Sequence, residues 1–450
     1  MKTSYIFIFL CFLPYFLCDL GGVKLLIDQK FINAAHQRFY SYFKNGLNKI
    51  DLPDIGPIEE VALLFPNLKK EHIVISFEND GTLYLKIKDV IPRITGTVYY
   101  KIVFIRCHNN LKLELRNFHF EGKLRIKSKM IANQKYILDA EFVTRPTINF
   151  EANLDIDGFG GSIVAKFFQG NINMGLRLAL PKLEALSNDI LKKYVISNIP
   201  QSVLIKTPKA NYNLDLTLVS PASIRNKFLE LNTYAYLYHN STAHTKNYNR
   251  YQLTNLPSVT KMDNQLQFYI SEYSVNSGLY TLLTMNKVID FKLTTKELSL
   301  LFPNVVQQYE NKMANGKIFI MLDPKVNITE EYIHIKTSGS IHIGIPGETF
   351  NFGGHLELNM KVEAKVIPGP KISGKIHQLE GRITHSGSQN EPNLTNNVFQ
   401  FIEEVIRPVL NLFVTNNIPF SLPEILGVRF TDLSIEHKNH YLAVNYNILN

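Results

Sequence analysis

The chain has 450 residues, 45% of them hydrophobic, and 48 Lys and Arg against 39 Asp and Glu give it a formal net charge of +9. That length is too great for one ordinary core, so two or more domains are expected, and the hydrophobic content is ordinary for a globular protein. With only three cysteines, a disulfide framework is excluded and the fold must rest on burial.

At the start, Lys2 precedes a 13-residue apolar run, Tyr5–Leu17, and more polar sequence follows from Asp19. The run is too short to span a bilayer and reads as a secretory signal peptide over residues 1–18, with a short membrane anchor as the other reading. Cutting after Cys18 or Gly21 puts Phe16 or Asp19 where a small residue is preferred, so the cut site stays open. A secreted, extracellular chain is expected. Cys11 and Cys18 lie in this leader, leaving Cys107 as a packed small hydrophobe and no disulfide. No later stretch is apolar for 18 residues, so the mature chain is expected to be soluble. Asp19–Ser220 carries 27 Lys and Arg against 20 Asp and Glu, net +7, while Pro221 to the end carries 20 against 19, net +1. A basic half favours anionic partners such as acidic headgroups, or serves solubility.

Gln29–Asn45 carries Ile32, Ala35, Phe39 and Phe43 at helical spacing. Period two then takes over. Leu111, Leu113 and Leu115 alternate with Lys112, Glu114 and Arg116. Lys123, Arg125, Lys127 and Lys129 put four cations on one strand face, with Leu124 and Ile126 on the other. This is either a solvated exterior or a stripe for membrane or headgroup contact, where each cation adds ~1 kcal/mol near an anionic surface. Ile148 to Ile156 alternates in the same way. Pro181–Tyr194 reads as a helix, with Pro181 at its first position and Leu183, Leu186 and Ile190 on one face. Within Leu218–Met262, residues 225–238 can form strands, and 239–260 reads as an exposed linker. Leu356, Leu358, Met360, Val362, Ala364 and Val366 form another long alternating run. Asn396–Val414 reads as a helix that Pro408 should kink. Leu442, Val444, Tyr446 and Ile448 close the chain. Such strands have one apolar and one wet face, as in antiparallel sheets. Asn240, Asn327 and Asn393 begin sequons and mark three candidate glycosylated loops.

The chain repeats itself. Ile27–Ala35 matches Ile270–Gly278 at offset 243, Leu64–Asn67 matches Leu301–Asn304 at offset 237, and Tyr194–Val203 matches Phe413–Leu422 at offset 219. Three matches in one order predict two copies of one domain, 23–217 and 263–450, flanking a segment 218–262.

These features together resemble the family of bactericidal permeability-increasing protein, lipopolysaccharide-binding protein and the plasma lipid-transfer proteins. The opening VKLLIDQKFINAAHQRFYSYFKNGLNKIDLPDI, the segment Phe268–Tyr280, the kinked Ile406-Arg407-Pro408-Val409-Leu410 and the tail from Ile418 carry the likeness. It implies an α+β fold: two pseudo-symmetric barrels, each a long twisted antiparallel sheet wrapped around a long helix, joined by a central sheet as a boomerang. It also implies apolar tunnels that accept phospholipid acyl chains. Ile32, Ala35, Phe39, Phe43, Leu183, Leu186 and Ile190 are the candidate lining of the first. Tyr273, Leu279, Phe401, Val405 and Leu412 are that of the second. Two departures stand out: no cysteine pair exists for the family's disulfide, and no tryptophan is present for a basic, Trp-bearing tip. Thr95–Arg106, the nearest counterpart of that tip, carries only Lys101 and Arg106.

No catalytic constellation occurs. Gly369–Lys375 resembles a phosphate loop, but Ile376 follows where Ser or Thr belongs. His437 and His440 sit in a polar stretch that reads as a hairpin turn, with no third ligand for a metal. The expectation is a non-enzymatic secreted glycoprotein without cofactor or metal, monomeric and with no nucleic acid as partner. It would bind or transfer phospholipid or another amphipathic lipid and meet anionic membrane or lipoprotein surfaces peripherally. The alternatives are a defence protein binding bacterial lipopolysaccharide and a structural glycoprotein without ligand.

Overall fold

The computed structural model describes residues 20–34, 36, 40, 44, 48–51, 54, 58–102, 105–132, 135–156, 181, 185, 202–206, 211–239, 250–285, 288–320, 324–367, 371–385, 397–417, 420–421 and 432–447. Three large sheets organise them. An eight-stranded sheet is built from strands between Lys49 and Ile156, and a seven-stranded sheet from strands between Val288 and Ser421. Between them lies a six-stranded central sheet drawn from across the chain, in the order Ser223–Arg225, Phe228–Thr233, Val23–Asp28, Leu266–Ser271, Tyr441–Asn447, Asp432–Lys438.

The middle of the central sheet has a two-fold register. Leu25 lies opposite Phe268, 243 residues on, the same offset that relates Ile27 to Ile270. The backbone turns helical at Gln29 and again at Glu272, also 243 apart. The recurrent Leu-Phe-Pro-Asn segments are less alike. The first follows strand Ile58–Leu64 into a turn, and the second lies between the short helices Thr295–Leu298 and Asn304–Gln308. Phe65 and Phe302 are nevertheless both buried. Of the third pair, residues 194–201 lie outside the described residues.

The central strands depart from the expected apolar-and-wet alternation. Leu442, Ala443, Val444, Asn445 and Tyr446 are all buried, as are Val23, Lys24, Leu25, Leu26 and Ile27. Both faces of these strands are therefore covered. Lys24, fully buried, meets Glu230 at 3.0 Å and donates to the Pro257 carbonyl at 2.8 Å. The stretch read as an exposed linker is therefore pinned in part, and Leu256 beside that carbonyl is also buried.

In the outer sheets alternation holds over long distances. Strand Ile105–Ala132 runs 28 residues and strand Asn351–Ile367 runs 17. Along the first, the buried set is Leu111, Leu113 and Leu115, then Phe118, Phe120 and Leu124. The phase slips from odd to even at Asn117, which sits at φ 51° where the pairing register with Thr147–Ile156 shifts. Such a bulge inserts one unpaired residue, and Asn tolerates the left-handed backbone it needs.

The expected helix-wrapped barrels are not what the chain forms. Strand makes up 60% of the structure and helix 18%, in five short α-helices among the described residues. Among the described residues the longest, Glu272–Met285, has 14 residues, and no long helix is seen running through either sheet. The helical stretch after Asn397 is divided into Val398–Phe401, a π-helical turn Ile402–Ile406, and Arg407–Asn417. Pro408 lacks an N–H and crowds the preceding turn. The backbone answers by widening there, and the Arg407 N–H reaches back five residues to the Ile402 carbonyl. Elsewhere the period-two pattern wins, because β-branched and aromatic side chains pack best on a half-buried pleated surface.

Candidate functional site

The inner faces of the two outer sheets carry the apolar interior. Residues from Ile58 to Leu124 form one buried cluster with the central strands, and residues from Ile289 to Leu410 form most of another. In both, the row along the longest strand begins sealed and ends open. On the first, Phe118, Phe120 and Leu124 are buried, Ile126 is partly accessible, and Met130 is 62% exposed. Leu138 and Phe142 on the paired strand Lys135–Phe142 are also only partly covered. On the second, Phe352, Leu356 and Leu358 are buried, Met360 and Ala364 are partly accessible, and Val366 is 40% exposed. Apolar groups left half-covered on an otherwise sealed face mark a place where a further apolar group can be buried.

Both open ends abut the central region. In the first half the Ala222 N–H donates to Ser128 Oγ at 2.8 Å, and Tyr136 and Leu218 exchange backbone hydrogen bonds of 3.1 Å. In the second half the Ala364 N–H donates to Nε2 of His437, on the edge strand of the central sheet, at 3.2 Å. Burial lowers the His437 pKa, with Glu363 pulling the other way, so the ring favours the neutral form that can accept this bond. Ile270 packs against both clusters, and Ile372 and Ile435 against the first.

The helical stretch from Val398 closes the second half along the edge of strand Lys371–His385. That strand pairs with Phe420–Ser421 only at Lys371 and Ile372. Beyond them, side chains replace a neighbouring strand. Asn411 Oδ1 accepts the Ile376 N–H at 2.7 Å, Glu403 Oε1 accepts the Leu379 N–H at 3.3 Å, and Arg407 donates to the His377 carbonyl at 3.4 Å. Arg407 and Glu403 also pair at 3.0 Å. This covers an edge that would otherwise invite another strand.

The sequence-derived site residues fall into three groups. Ile32 is buried in the first cluster, Phe401 and Val405 in the second, and Leu279 packs partly buried against the second. Tyr273 is fully buried, its ring 6.3 Å from that of Tyr236; burial, then Tyr236, raises its phenol pKa. Ala35, Phe39, Phe43, Leu183, Leu186 and Ile190 lie outside the described residues. Leu412 is a correction: it is 63% exposed and lines no interior. Seven positions after Val405 it would share its face in an α-helix, but the intervening π turn rotates the rest of the helix by roughly a quarter turn. Sequence reasoning does not pick out Met130, Leu138, Phe142, Met360, Ala364 and Val366 as site residues. Their signal is the alternation itself, which reads as sheet structure alone.

Lys123, Arg125, Lys127 and Lys129 do share one exposed strand face. Lys123 meets Asp80 at 2.7 Å, and Lys127 pairs with Glu141. The Asp80 bond holds the lysine above its ordinary pKa and the carboxyl below its own. Two of the four cations are thus neutralised locally, which leaves Arg125 and Lys129 as the exposed cations outside these pairs. Asn327 is exposed on strand Lys325–Ile328, whereas Asn240 and Asn393 lie outside the described residues. So do Cys11, Cys18 and the side chain of Cys107.

No protein-family model matches the chain, and no curated protein matches it in sequence. Among solved structures, the crystal structure of lipopolysaccharide binding protein aligns with 96% of this chain and 99% of its own, at 13% identity and a TM-score of 0.52. The likeness is one of fold. The structure of P47 from Clostridium botulinum A2 aligns with 95% of this chain and 97% of its own at 10% identity, with a TM-score of only 0.32.

Proposed function

We propose that the protein binds amphipathic lipid, with acyl chains laid along the two open rows and the polar headgroup left wet beside the central sheet. The observation that carries this reading is the matched pair of apolar rows, Phe118–Met130 and Phe352–Val366, each sealed at one end and accessible at the other. Each methylene buried there contributes ~0.8 kcal/mol, so a chain of several methylenes binds without a charged site. The likeness in fold to a protein named for binding lipopolysaccharide, itself an amphipathic lipid, supports the same class of ligand. Lipopolysaccharide is the second reading, favoured by that neighbour and disfavoured by a Thr95–Arg106 hairpin with two cations and no tryptophan.

Lipid transfer, secretion and glycosylation extend the proposal. Arg125 and Lys129 would make the contact with an anionic surface, since Lys123 and Lys127 already have carboxylate partners. Native mass spectrometry of protein purified from a lipid-containing source tests the core of it. Lipid-loaded species are expected, and protein that carries none and takes up none from phospholipid vesicles returns the closed-core glycoprotein reading. Arg125→Glu with Lys129→Glu should slow uptake from anionic vesicles at low salt and have little effect above about 0.1 M, where exposed charges are screened within ~10 Å.

A further inference from the structure

The outer face of the second sheet, opposite its apolar row, carries a shallow groove of about 230 Å³. Two polar cross-strand rows line it, together with Ile335 and Met360. His334, Lys361 and Gln378 stand opposite one another on three neighbouring strands, as do Lys336, Asn359 and Glu380. Lys336 and Lys361 are therefore diagonal neighbours on one face, close enough for long side chains to meet over one group. Some surface lysines sit against carboxylates, as in Lys123–Asp80, Lys312–Glu348 and Lys438–Glu436. Here no carboxylate lies within ion-pair distance of either lysine among the described residues. The nearest acid of the groove, Glu380, accepts the Gln378 amide at 2.8 Å.

Two ammonium groups that converge repel, and an anion between them relieves that repulsion; Glu380, the groove's own carboxylate, is engaged by Gln378 and forms no ion pair with either lysine. The other lining groups, an amide from Asn359, the Gln378–Glu380 pair and the His334 imidazole, are planar donors and acceptors of the kind that hold hydroxyls. At one end the register slips between Lys361 and Val362, which bulges His377 out of the strand. Its ring stacks on Tyr332 at 5.2 Å and 20°, and its carbonyl is held by Arg407.

We propose that this groove binds a sugar carrying an anionic ester, with the anion between Lys336 and Lys361 and the hydroxyls on Asn359, Gln378 and Glu380. The polar rows of the site lie on the opposite face of the sheet from the apolar row, with Met360 common to both linings, and the proposal does not depend on the lipid reading. The full chain would be titrated calorimetrically with a sulfated heparin disaccharide, its desulfated counterpart, glucose 6-phosphate and inorganic sulfate. The sulfated disaccharide or the sugar phosphate should bind, and whichever is tighter names the ester. The desulfated sugar and free sulfate should each bind at least about tenfold more weakly, because each lacks half of the contacts. Lys336→Ala with Lys361→Ala should reduce the affinity at least about tenfold, and Asn359→Ala several-fold, while vesicle lipid uptake stays unchanged. These positions lie outside the core, so an unaltered melting transition is expected and checks the fold. Binding that survives the double lysine change, free sulfate that binds as tightly as the sugar ester, or no binding by either ester overturns the proposal. Loss of lipid uptake in the unaltered protein would refute only the lipid reading.

Discussion

Filling the mouth of the second apolar row tests where lipid lies. Ala364 is partly accessible between buried Val362 and exposed Val366, so Ala364→Trp adds an indole to the open end of the row and leaves the sealed core behind Leu358 untouched. If the indole displaces about three methylenes of an acyl chain, the loss is roughly 2.4 kcal/mol at ~0.8 kcal/mol each. That corresponds to about fiftyfold in affinity. Stability should change by no more than about 1 kcal/mol, since the position is not closed on all sides. Lys365→Trp is the matched control: it puts the same bulk on the outer, exposed face of the same strand. Uptake of a fluorescent acyl probe from vesicles gives the affinity, and native mass spectrometry gives the number of lipids held. Ala364→Trp should lose the lipid of one half, Ile126→Trp that of the other, and Lys365→Trp neither. Equal uptake by Ala364→Trp and Lys365→Trp, with both melting normally, would show that the acyl chain lies elsewhere.

Other consequences are independent of the ligand. Lys24→Met leaves the Glu230 carboxylate buried without its ion pair, which should cost about 3–5 kcal/mol, and adding Glu230→Gln should recover part of it in urea unfolding. Asn411→Ala strips the acceptor from the buried Ile376 N–H and should cost about 1–3 kcal/mol, with hydrogen exchange rising first along Lys371–His385. His437 has a folded pKa below its ordinary 6.5 because of burial, so its contribution is full above about 6.5 and lost as pH falls through the folded value. Burial and then Lys70 lower His36 in the same direction. His437→Gln, which keeps an acceptor for the Ala364 N–H, should therefore flatten the acid side of the stability curve without abolishing it; an unchanged slope would count against the joint. We also propose two like-folded units, 23–217 and 263–450; in an experimental structure, superposing them should bring Asn198-Ile199-Pro200 onto Asn417-Ile418-Pro419, and placement in unrelated elements would refute the repeat.

The sequence by itself determined the strands and their inward faces, because period two is a local property that each side chain expresses on its own backbone. Leu111–Leu115 and Leu356–Leu358 were legible in this way, and so was the offset of 243 that reappears where Leu25 meets Phe268. It also placed the four cations on one face. What it could not decide depends on partners distant in the chain. Asp80 and Glu141 neutralise half of the basic stripe from other strands, and Lys24 is buried only because a strand some two hundred residues later brings Glu230 beside it. The exposure of Leu412 comes from a π turn whose widening carries its effect two turns onward. The stretches read as helices from Gln29 and from Asn396 begin helical where they are described, but sheet outweighs helix in the structure because tertiary packing, and not helical spacing over a dozen residues, sets how far an element extends. Whether an inward row is sealed or open is likewise invisible in the alternation: Leu358 and Ala364 occupy the same face of one strand, and only the surrounding sheets and the covering helix close over the first and leave the second within reach.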